Sequence, residues 1–279
     1  MPELAEVEYY RKQWLPAVGE SVCTVRLNPG SRVFRETDCS ALEEGLVGQR
    51  LENILRHGKQ MAVVFGEVHW LGLHMGMTGG LSLVEKGGPA RPGDHLVLLM
   101  ESGRSLVFND SRMFGRVRYA SGHEEPAWWA GLPPEPLDRA FTLGRLECYL
   151  RRQPGTPLKT LLLMQKYFPG IGNWMGDEIL WRARIKPTVR ADQLGEFKRR
   201  ELFWTICEVC RDALRVIGTD WSRPPDDWLF NHRWKPGGLC PRTGGPLRRR
   251  VIGGRTTCWS PEWQIYRGKR SCSTVARPS

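Results

Sequence analysis

Apolar residues recur along this chain with two different periods. Over residues 1–17, Leu4, Val7, Tyr10 and Leu15 fall at helical spacing, which predicts a leading helix with one apolar side. From there to about residue 120 the pattern breaks into short pieces. Val22–Leu27, Leu51–His57, Met61–Phe65, His69–His74, Leu81–Val84, His95–Met100, Ser105–Phe108 and Gly115–Tyr119 read as strands divided by Gly, Asn or Asp. Many short strands in one segment predict a β-sandwich or barrel. Gly131-Leu132-Pro133-Pro134-Glu135-Pro136 is stiff and poor in donors, and marks a domain boundary. Beyond it the helical period returns in Arg139–Arg152, Pro157–Met164, Trp174–Ala183 and Leu194–Val216. Arg223-Pro224-Pro225 ends that run, and the tail from Trp234, dense in Gly, Arg and Trp, reads as a small hairpin appendage. The fold class predicted is α+β.

Composition narrows the class. The 279 residues are 41% hydrophobic and 25% charged, enough for two domains with cores of their own. Lysine and arginine total 41 against 30 acids, a net charge of +11, and such an excess suits a polyanion. The sequence has neither an apolar run of about 18 residues nor a charged-then-apolar leader, so no membrane partner is expected and the cytoplasm is the expected location. There the eight cysteines should be reduced. Cys23, Cys39 and Cys148 read as small buried hydrophobes. Cys207 and Cys210 are spaced as CxxC, but they follow the apolar run Glu201–Ile206 and read as buried helix.

Candidate chemistry begins at Met1-Pro2-Glu3-Leu4-Ala5-Glu6-Val7-Glu8. Removal of Met1 would leave Pro2 as a secondary amine with Glu3 beside it. A neutral amine attacks an aldehyde-level carbon and forms a Schiff base; the plain alternative is a disordered start. Ile171-Gly172-Asn173-Trp174 lies between two helical stretches, where backbone amides and the Asn173 side chain suit a phosphate, unless the segment is a simple interhelical turn. Arg56-His57-Gly58-Lys59 joins two strands, so Lys59 either meets a phosphate or guards a strand edge. His74–Gly79 and Asn109–Gly115 are loops with bulky apolar tips, the second carrying a cation and an aromatic ring two residues apart. Apolar wedges and a cation are what an enzyme needs to extrude a nucleotide, though each loop alone also fits an ordinary turn. Gly253-Gly254 predicts a hairpin turn with Arg255 near its tip, facing either a phosphate or solvent.

Taken together these residues resemble the bacterial Fpg/Nei family, the formamidopyrimidine-DNA glycosylase and endonuclease VIII group of base-excision repair enzymes. The resemblance runs through almost the whole chain in order. The family's opening Pro-Glu-Leu-Pro-Glu-Val-Glu is matched at Pro2, Glu3, Leu4, Glu6, Val7 and Glu8, with Ala5 in place of its second proline. Its strand-turn lysine corresponds to Lys59, its Gly-Ile-Gly-Asn signature to Gly170-Ile171-Gly172-Asn173, and its finger arginine to Arg255. The resemblance implies a β-sandwich catalytic domain over residues 1–130, a helix-two-turns-helix domain over 131–231 and a hairpin finger with tail over 232–279. It further implies that Pro2 attacks C1′ of a damaged nucleoside, that Glu3 handles protons, and that Lys59 binds phosphate or activates the sugar. His74, Asn173 and Arg255 would hold phosphates, and β-elimination, with or without δ-elimination, would nick the strand. Met77, Arg112 and Phe114 match the three void-filling residues of the branch that removes oxidised purines. Against that branch, Gly218–Pro225 looks shorter than the loop that covers 8-oxoguanine. The partner implied is double-stranded DNA with damaged bases or abasic sites, bound by a monomer in the cytoplasm, at the nucleoid.

The finger departs from the pattern. The family usually carries Cys-Pro-x-Cys twice, whereas this chain has Cys240-Pro241-Arg242-Thr243 and Ser260-Pro261-Glu262-Trp263. Neither Thr nor Trp ligates zinc, so no cofactor is expected and Trp234, Trp259 and Trp263 are expected to hold the hairpin by packing. A rescued site would have to use His232, Cys240, Cys258 and Cys272, which lack regular spacing. Two rival functions follow from these departures: a lesion- or abasic-site-binding protein with weak or no cleavage, and an endonuclease VIII-like enzyme for pyrimidine lesions. An RNA-processing or single-strand-binding protein would explain the charge but not the N-terminal amine.

Overall fold

Eight antiparallel strands build two four-stranded sheets in the first half of the chain, as the short apolar segments predict. The computed structural model describes residues 1–85 and 91–269. The strands are β1 (Val22–Leu27), β2 (Leu51–His57), β3 (Gln60–Phe65), β4 (His69–His74), β5 (Gly80–Val84), β6 (Asp94–Met100), β7 (Ser105–Asn109) and β8 (Arg116–Ser121). One sheet has the order β1-β6-β7-β5 and the other β2-β3-β4-β8. Val25, Leu98, Leu106 and Phe108 of the first sheet share a buried core with Ile54, Met61, Val63, Leu71, Leu73 and Val117 of the second. This is a sandwich, filled by the alternate inward residues of both sheets.

Helix α1 (Leu4–Trp14) closes the same core. Leu4, Ala5, Val7 and Trp14 are its buried apolar residues, whereas Leu15 lies in a following 3₁₀ turn and is exposed. The Trp14 indole N–H donates to the Ser82 carbonyl of β5, and an Arg11 guanidinium N–H to the Ile54 carbonyl of β2. The helix is therefore pinned to one strand of each sheet. Two further helices, α2 (Cys39–Leu46) and α3 (Ala127–Ala130), were not anticipated from the sequence. Asp38 starts α2 by accepting the amides of Ser40 and Ala41, a side-chain cap that sets a helix where propensity alone is weak. Cys23 corrects the sequence reading. The β1–β6 register shifts between Val22 and Thr24, which breaks the alternation and leaves Cys23 exposed. Cys39 and Cys148 are half-buried, while Cys207 and Cys210 are buried.

The chain divides into two compact units, Met1–Pro133 with Ala213–Arg223, and Pro134–Asp212 with the described residues from Pro224 onward. The second unit is helical: α4 (Leu143–Arg152), α5 (Leu158–Leu162), α6 (Asn173–Arg182) and most of α7 (Glu196–Asp220), followed by the hairpin β9 (Arg248–Ile252) and β10 (Arg255–Trp259). α4 begins four residues later than its period suggests, because Thr142 caps it through the Arg145 amide. Among the described residues no helix is long and apolar enough to cross a membrane.

A buried ion cluster centres on Asp177 of α6. Lys159 Nζ stands 2.6 Å from one carboxylate oxygen of Asp177, and the other oxygen takes two N–H donors of Arg233, at 2.7 and 3.1 Å, and the Cys258 amide at 2.9 Å. The Lys159 ammonium also donates to the Asn173 carbonyl at 2.6 Å. One carboxylate thus ties α5, the residue before the hairpin's approach and β10 to α6. Removing one partner from such a buried cluster costs roughly 3–5 kcal/mol, because uncompensated charge stays behind. Asp177→Asn should lower the unfolding free energy by about that much; urea unfolding followed by tryptophan fluorescence checks it, and a loss under about 1 kcal/mol would contradict the cluster's role.

Candidate active site

The first unit positions Pro2 and Glu3 at the head of α1. Glu3 is its N-terminal capping residue, with extended backbone, and its amide donates to the Glu6 carboxylate at 3.1 Å. This is one half of a capping box, and it fixes the chain just before the first helical turn. Glu3 is buried while Pro2 is half-buried, so a carboxylate is held out of bulk water next to the residue that would become the amine. Further along α1, Glu8 pairs with Arg11 at 2.8 Å and with Arg56 of β2 at 3.2 Å. Burial raises the Glu8 carboxyl, but Arg11 and Arg56 outweigh it and hold the pKa below the usual range.

Lys59 sits in the two-residue turn between β2 and β3, closed by the His57–Gln60 pair. Gly58 provides the left-handed residue that the turn requires, at φ 57°. Lys59 is 8% exposed, so the lysine that could have been a solvated edge charge is instead drawn into the unit. His74, the last residue of β4, lies within its field. Burial first, then Lys59, Arg116, Arg118 and Arg35, push the His74 pKa down to about 4. The Gly76 amide donates to His74 Nδ1 at 3.1 Å, which leaves the proton of the neutral ring on Nε2. His74 is therefore a neutral N–H donor at neutral pH.

The two wedge loops meet over one buried carboxylate that sequence reading passed over as a turn residue. Asp110 is fully buried; it accepts the Thr78 hydroxyl at 2.6 Å and the amides of Gly115 at 2.6 Å and Arg112 at 3.3 Å. Its own carbonyl is hydrogen-bonded to His95 Nε2 at 2.9 Å. Gly76 makes the close approach possible: a Cβ there would stand 2.4 Å from the Phe114 carbonyl carbon. Met77 is half-buried on one loop, and Arg112 and Phe114 are exposed on the other, with the guanidinium 4.7 Å from the ring centroid. The structure thus brings Met77, Arg112 and Phe114 onto two loops locked to each other. The intervening Met113 takes a left-handed backbone, φ 53°.

The second unit carries Asn173 and Arg255. Asn173 opens α6 after Gly172, and Gln165 braces the turn before it, accepting the Gly170 amide and donating to the carbonyls of Leu163 and Ile171. The Asn173 side-chain amide donates to the Thr256 carbonyl at 2.9 Å, so one of its two protons fastens the hairpin. Gly253 and Gly254, at φ 56° and 74°, form the hairpin turn that the sequence predicts, beside Arg255, which is exposed. Lys159, buried under the Asn173 carbonyl, is a positioning residue that carries no sequence signal, since an isolated lysine in a helix reads as surface.

Among the described residues no group of three or more His, Cys, Asp or Glu could hold a metal. Burial and the Asp177 carboxylate push the Cys258 thiol up to about 11, which disfavours the thiolate that zinc requires. Cys240 is raised by burial, but hydrogen bonds from Ser260, Trp181 and Thr243 outweigh it and leave it below an ordinary thiol. His232 has its Nε2 at 2.7 Å from the Asp226 carbonyl, and Cys272 lies outside the described residues. The three tryptophans do not act alike. Trp263 packs with Trp181, Cys240 and Cys258, and Trp259 is buried; Trp234 is exposed, against Phe230 and Arg233. Trp181 of α6, not Trp234, completes the cluster.

The family model for the formamidopyrimidine-DNA glycosylase N-terminal domain matches residues 1–117, and that for its helix-two-turns-helix domain matches residues 132–223. This chain belongs to the formamidopyrimidine-DNA glycosylase family. The formamidopyrimidine-DNA glycosylase of Solibacter usitatus is 34% identical over 273 residues, covering 95% of this chain and 99% of its own. That of Thermus thermophilus is 36% identical over 278 residues, covering 95% and 98%. Lactococcus lactis Fpg, solved with DNA containing an N7-benzyl formamidopyrimidine guanine, superposes with a TM-score of 0.85 at 26% identity, covering 94% of this chain and 99% of its own. MutM solved with DNA containing carbocyclic 8-oxoguanine gives 0.84 at 27%, with the same coverage. The α+β fold is that of the formamidopyrimidine-DNA glycosylases.

The depressed His74 pKa gives a stability signature. A base whose folded pKa lies below its unfolded value contributes stability that is complete above the unfolded value and is lost as pH falls through the folded one. The contribution from His74 should therefore fade from about pH 6.5 to about pH 4. His74→Gln should flatten the pH dependence of unfolding free energy in this window by about 2–3 kcal/mol relative to the parent, measured by denaturant titration at several pH values.

Proposed function

We propose that this chain removes oxidised bases, oxidised purines foremost, through a Schiff base on Pro2, and nicks the strand at the resulting abasic site. As a formamidopyrimidine-DNA glycosylase family member it is a DNA glycosylase of base-excision repair with abasic-site lyase activity. The observation that carries the assignment of residues is the head of α1, where Glu3 is buried and fixed beside Pro2. Once Met1 is removed, the Pro2 nitrogen bonds to C1′ as the C1′–base bond breaks, and the C1′–O4′ bond then opens, its oxygen taking a proton, to leave the iminium; Glu3 moves the protons that these exchanges require. The resulting iminium makes the C2′ proton acidic; its loss expels the 3′-oxygen and breaks the strand. Lys59 and the neutral His74 N–H serve the phosphates on the first unit, Asn173 and Arg255 on the second. Met77, Arg112 and Phe114 fill the gap left by the extruded nucleotide, with Arg112 on the orphaned base. That these three residues are the void-filling set of the oxidised-purine branch supports the oxidised-purine preference.

A second reading, preference for pyrimidine lesions, draws support from α7. The helix continues through Gly218–Asp220, leaving Trp221–Pro225 as a short connection in place of a long lid. A panel of 8-oxoguanine, formamidopyrimidine, dihydrouracil and abasic duplexes separates the two readings.

Borohydride reduction tests the chemistry. The mature protein, incubated with abasic-site duplex DNA, should give a stable covalent adduct, and a version with an N-terminal extension should give none. Glu3→Gln should slow base release by roughly 10²–10⁴-fold. Absence of both adduct and nicking in the mature wild-type chain would overturn the assignment.

We also infer that the finger is metal-free, supported by Thr243, Ser260 and Trp263 standing at three of the four positions where the family carries cysteine. Untagged protein dialysed against chelator should keep its melting temperature and contain no stoichiometric zinc by elemental analysis. One retained zinc per chain would contradict it.

A further inference from the structure

The β3–β4–β8 register builds a second polar site on the sheet's outer face. Gln60 pairs with His74, and His74 with Arg116; two residues along, Gly72 pairs with Arg118. The intervening Leu71, Leu73 and Val117 enter the core, so these polar residues share the opposite face. Gly72 leaves that face bare, and Trp128 of α3 lies on it: a Cβ at Gly72 would stand 2.7 Å from the indole. The Arg118 guanidinium is 5.9 Å from the Trp128 ring centroid. Arg35 reaches the same place, held by donating to the carbonyls of Arg32 at 2.9 Å and Gly115 at 2.8 Å. Together these side chains line a cavity of about 410 Å³.

The charge there is unbalanced. Glu36 pairs with Arg116 at 3.0 Å and lies 3.6 Å from Arg118, one carboxylate for three guanidinium groups. Burial, then Arg116, lower the Arg35 pKa, a sign of cations crowded together. Such a cluster is relieved by an anion, and guanidinium groups take phosphate bidentately. The indole wall adds a face for a base, and aromatic rings interleaved with arginines are how proteins hold unstacked nucleotides. The volume lies in the range of small-ligand sites. Phe114, on the loop with Arg112, also lines the cavity, so a strand engaged by that loop passes its mouth.

The geometry points to a nucleotide subsite in which Arg35 and Arg116 hold a phosphate and Trp128, beside Arg118, stacks a base of the bound DNA. It rests on the DNA glycosylase reading above; His74 and Phe114, already given phosphate-holding and gap-filling roles, border the cavity, whereas Arg35, Arg116, Arg118 and Trp128 carry none of the roles assigned there. A free mononucleotide offers the same chemistry, so the test separates the two sources.

Affinity for a fluorescent duplex containing a tetrahydrofuran abasic analogue is measured across salt concentrations, for wild type, Arg116→Gln/Arg118→Gln, Trp128→Ala and Trp128→Phe. Melting temperature serves as the folding control. The double variant should bind roughly 10- to 100-fold more weakly, with the log–log salt slope reduced by about one to two. Trp128→Ala should lose roughly 5- to 100-fold, and Trp128→Phe should recover most of it. Borohydride trapping at saturating DNA should persist in all four proteins. Wild-type affinity and slope in a natively folded double variant would overturn the subsite. So would saturable binding of free deoxyguanosine monophosphate that the same variant abolishes, since that makes the cavity a free-nucleotide site. Loss of trapping in the wild type would instead sink the glycosylase reading itself.

Discussion

A carboxylate removed from water must be surrounded by donors, and in this protein the donors come from the segments that carry the site. Asp110 gathers the Thr78 hydroxyl and the amides of Arg112 and Gly115, so the two wedge loops cannot shift independently. Asp177 gathers Lys159, Arg233 and the Cys258 amide, so the hairpin that carries Arg255 is registered against the helix that begins with Asn173. Neither aspartate faces a ligand. Each converts the cost of burying charge into a geometric constraint, because a displaced loop would strand the carboxylate without partners. The same logic explains why the exposed residues on these loops can be large and apolar: their backbone is fixed from beneath.

The electrostatics of the first unit follow from a neutral histidine set among cations. A second positive charge at His74 would be opposed by burial and by Lys59, Arg116 and Arg118. The ring therefore donates a hydrogen bond without adding to the crowding, and its tautomer is set by the Gly76 amide. Under the function proposed, a phosphate arriving there would meet Lys59 as a point charge and His74 as a directed donor, two different contributions to one anion site. Arg35, Arg116 and Arg118 extend that positive field over the outer face of the β3–β4–β8 sheet.

The strands, the Lys59 turn and the Gly253-Gly254 hairpin were legible because each rests on local chemistry: alternation, a glycine at positive φ, a two-residue turn. The roles proposed for Pro2, Glu3, Asn173 and Arg255 rest on their order along the chain and the family it resembles, not on any local pattern. What escaped is what depends on tertiary partners. Asp110 reads as a turn residue, and the position of Asp177 after the Gly-Ile-Gly-Asn signature does not disclose that Lys159 and Arg233 are buried beside it. α2 is short, and its start is decided by the Asp38 cap. Cys23 follows its strand's alternation in sequence and violates it in the fold, because a register shift occurs at that residue. Trp128 has no pattern at all; its place is prepared by a glycine on another element, at position 72.

The finger shows how a hairpin can be ordered by the structure it leans on. A structural zinc site contributes apparent free energy of roughly 10–16 kcal/mol and couples folding to thiol deprotonation. This hairpin takes its order from other sources. The Trp263 indole donates to the Trp181 carbonyl at 3.0 Å, Gln264 donates to the Ile185 carbonyl at 2.8 Å, and Asn173 donates to the Thr256 carbonyl. Trp181, Cys240, Cys258 and Leu229 form a small apolar cluster with Leu247 and Trp263. Every one of these contacts runs to α6 or its neighbours, so the hairpin has no core of its own to fold around. Its stability is therefore coupled to that of the helical unit. A raised thiol pKa at Cys258 is the corollary: in such a cluster cysteine acts as a small hydrophobe, and protonation is its stable state.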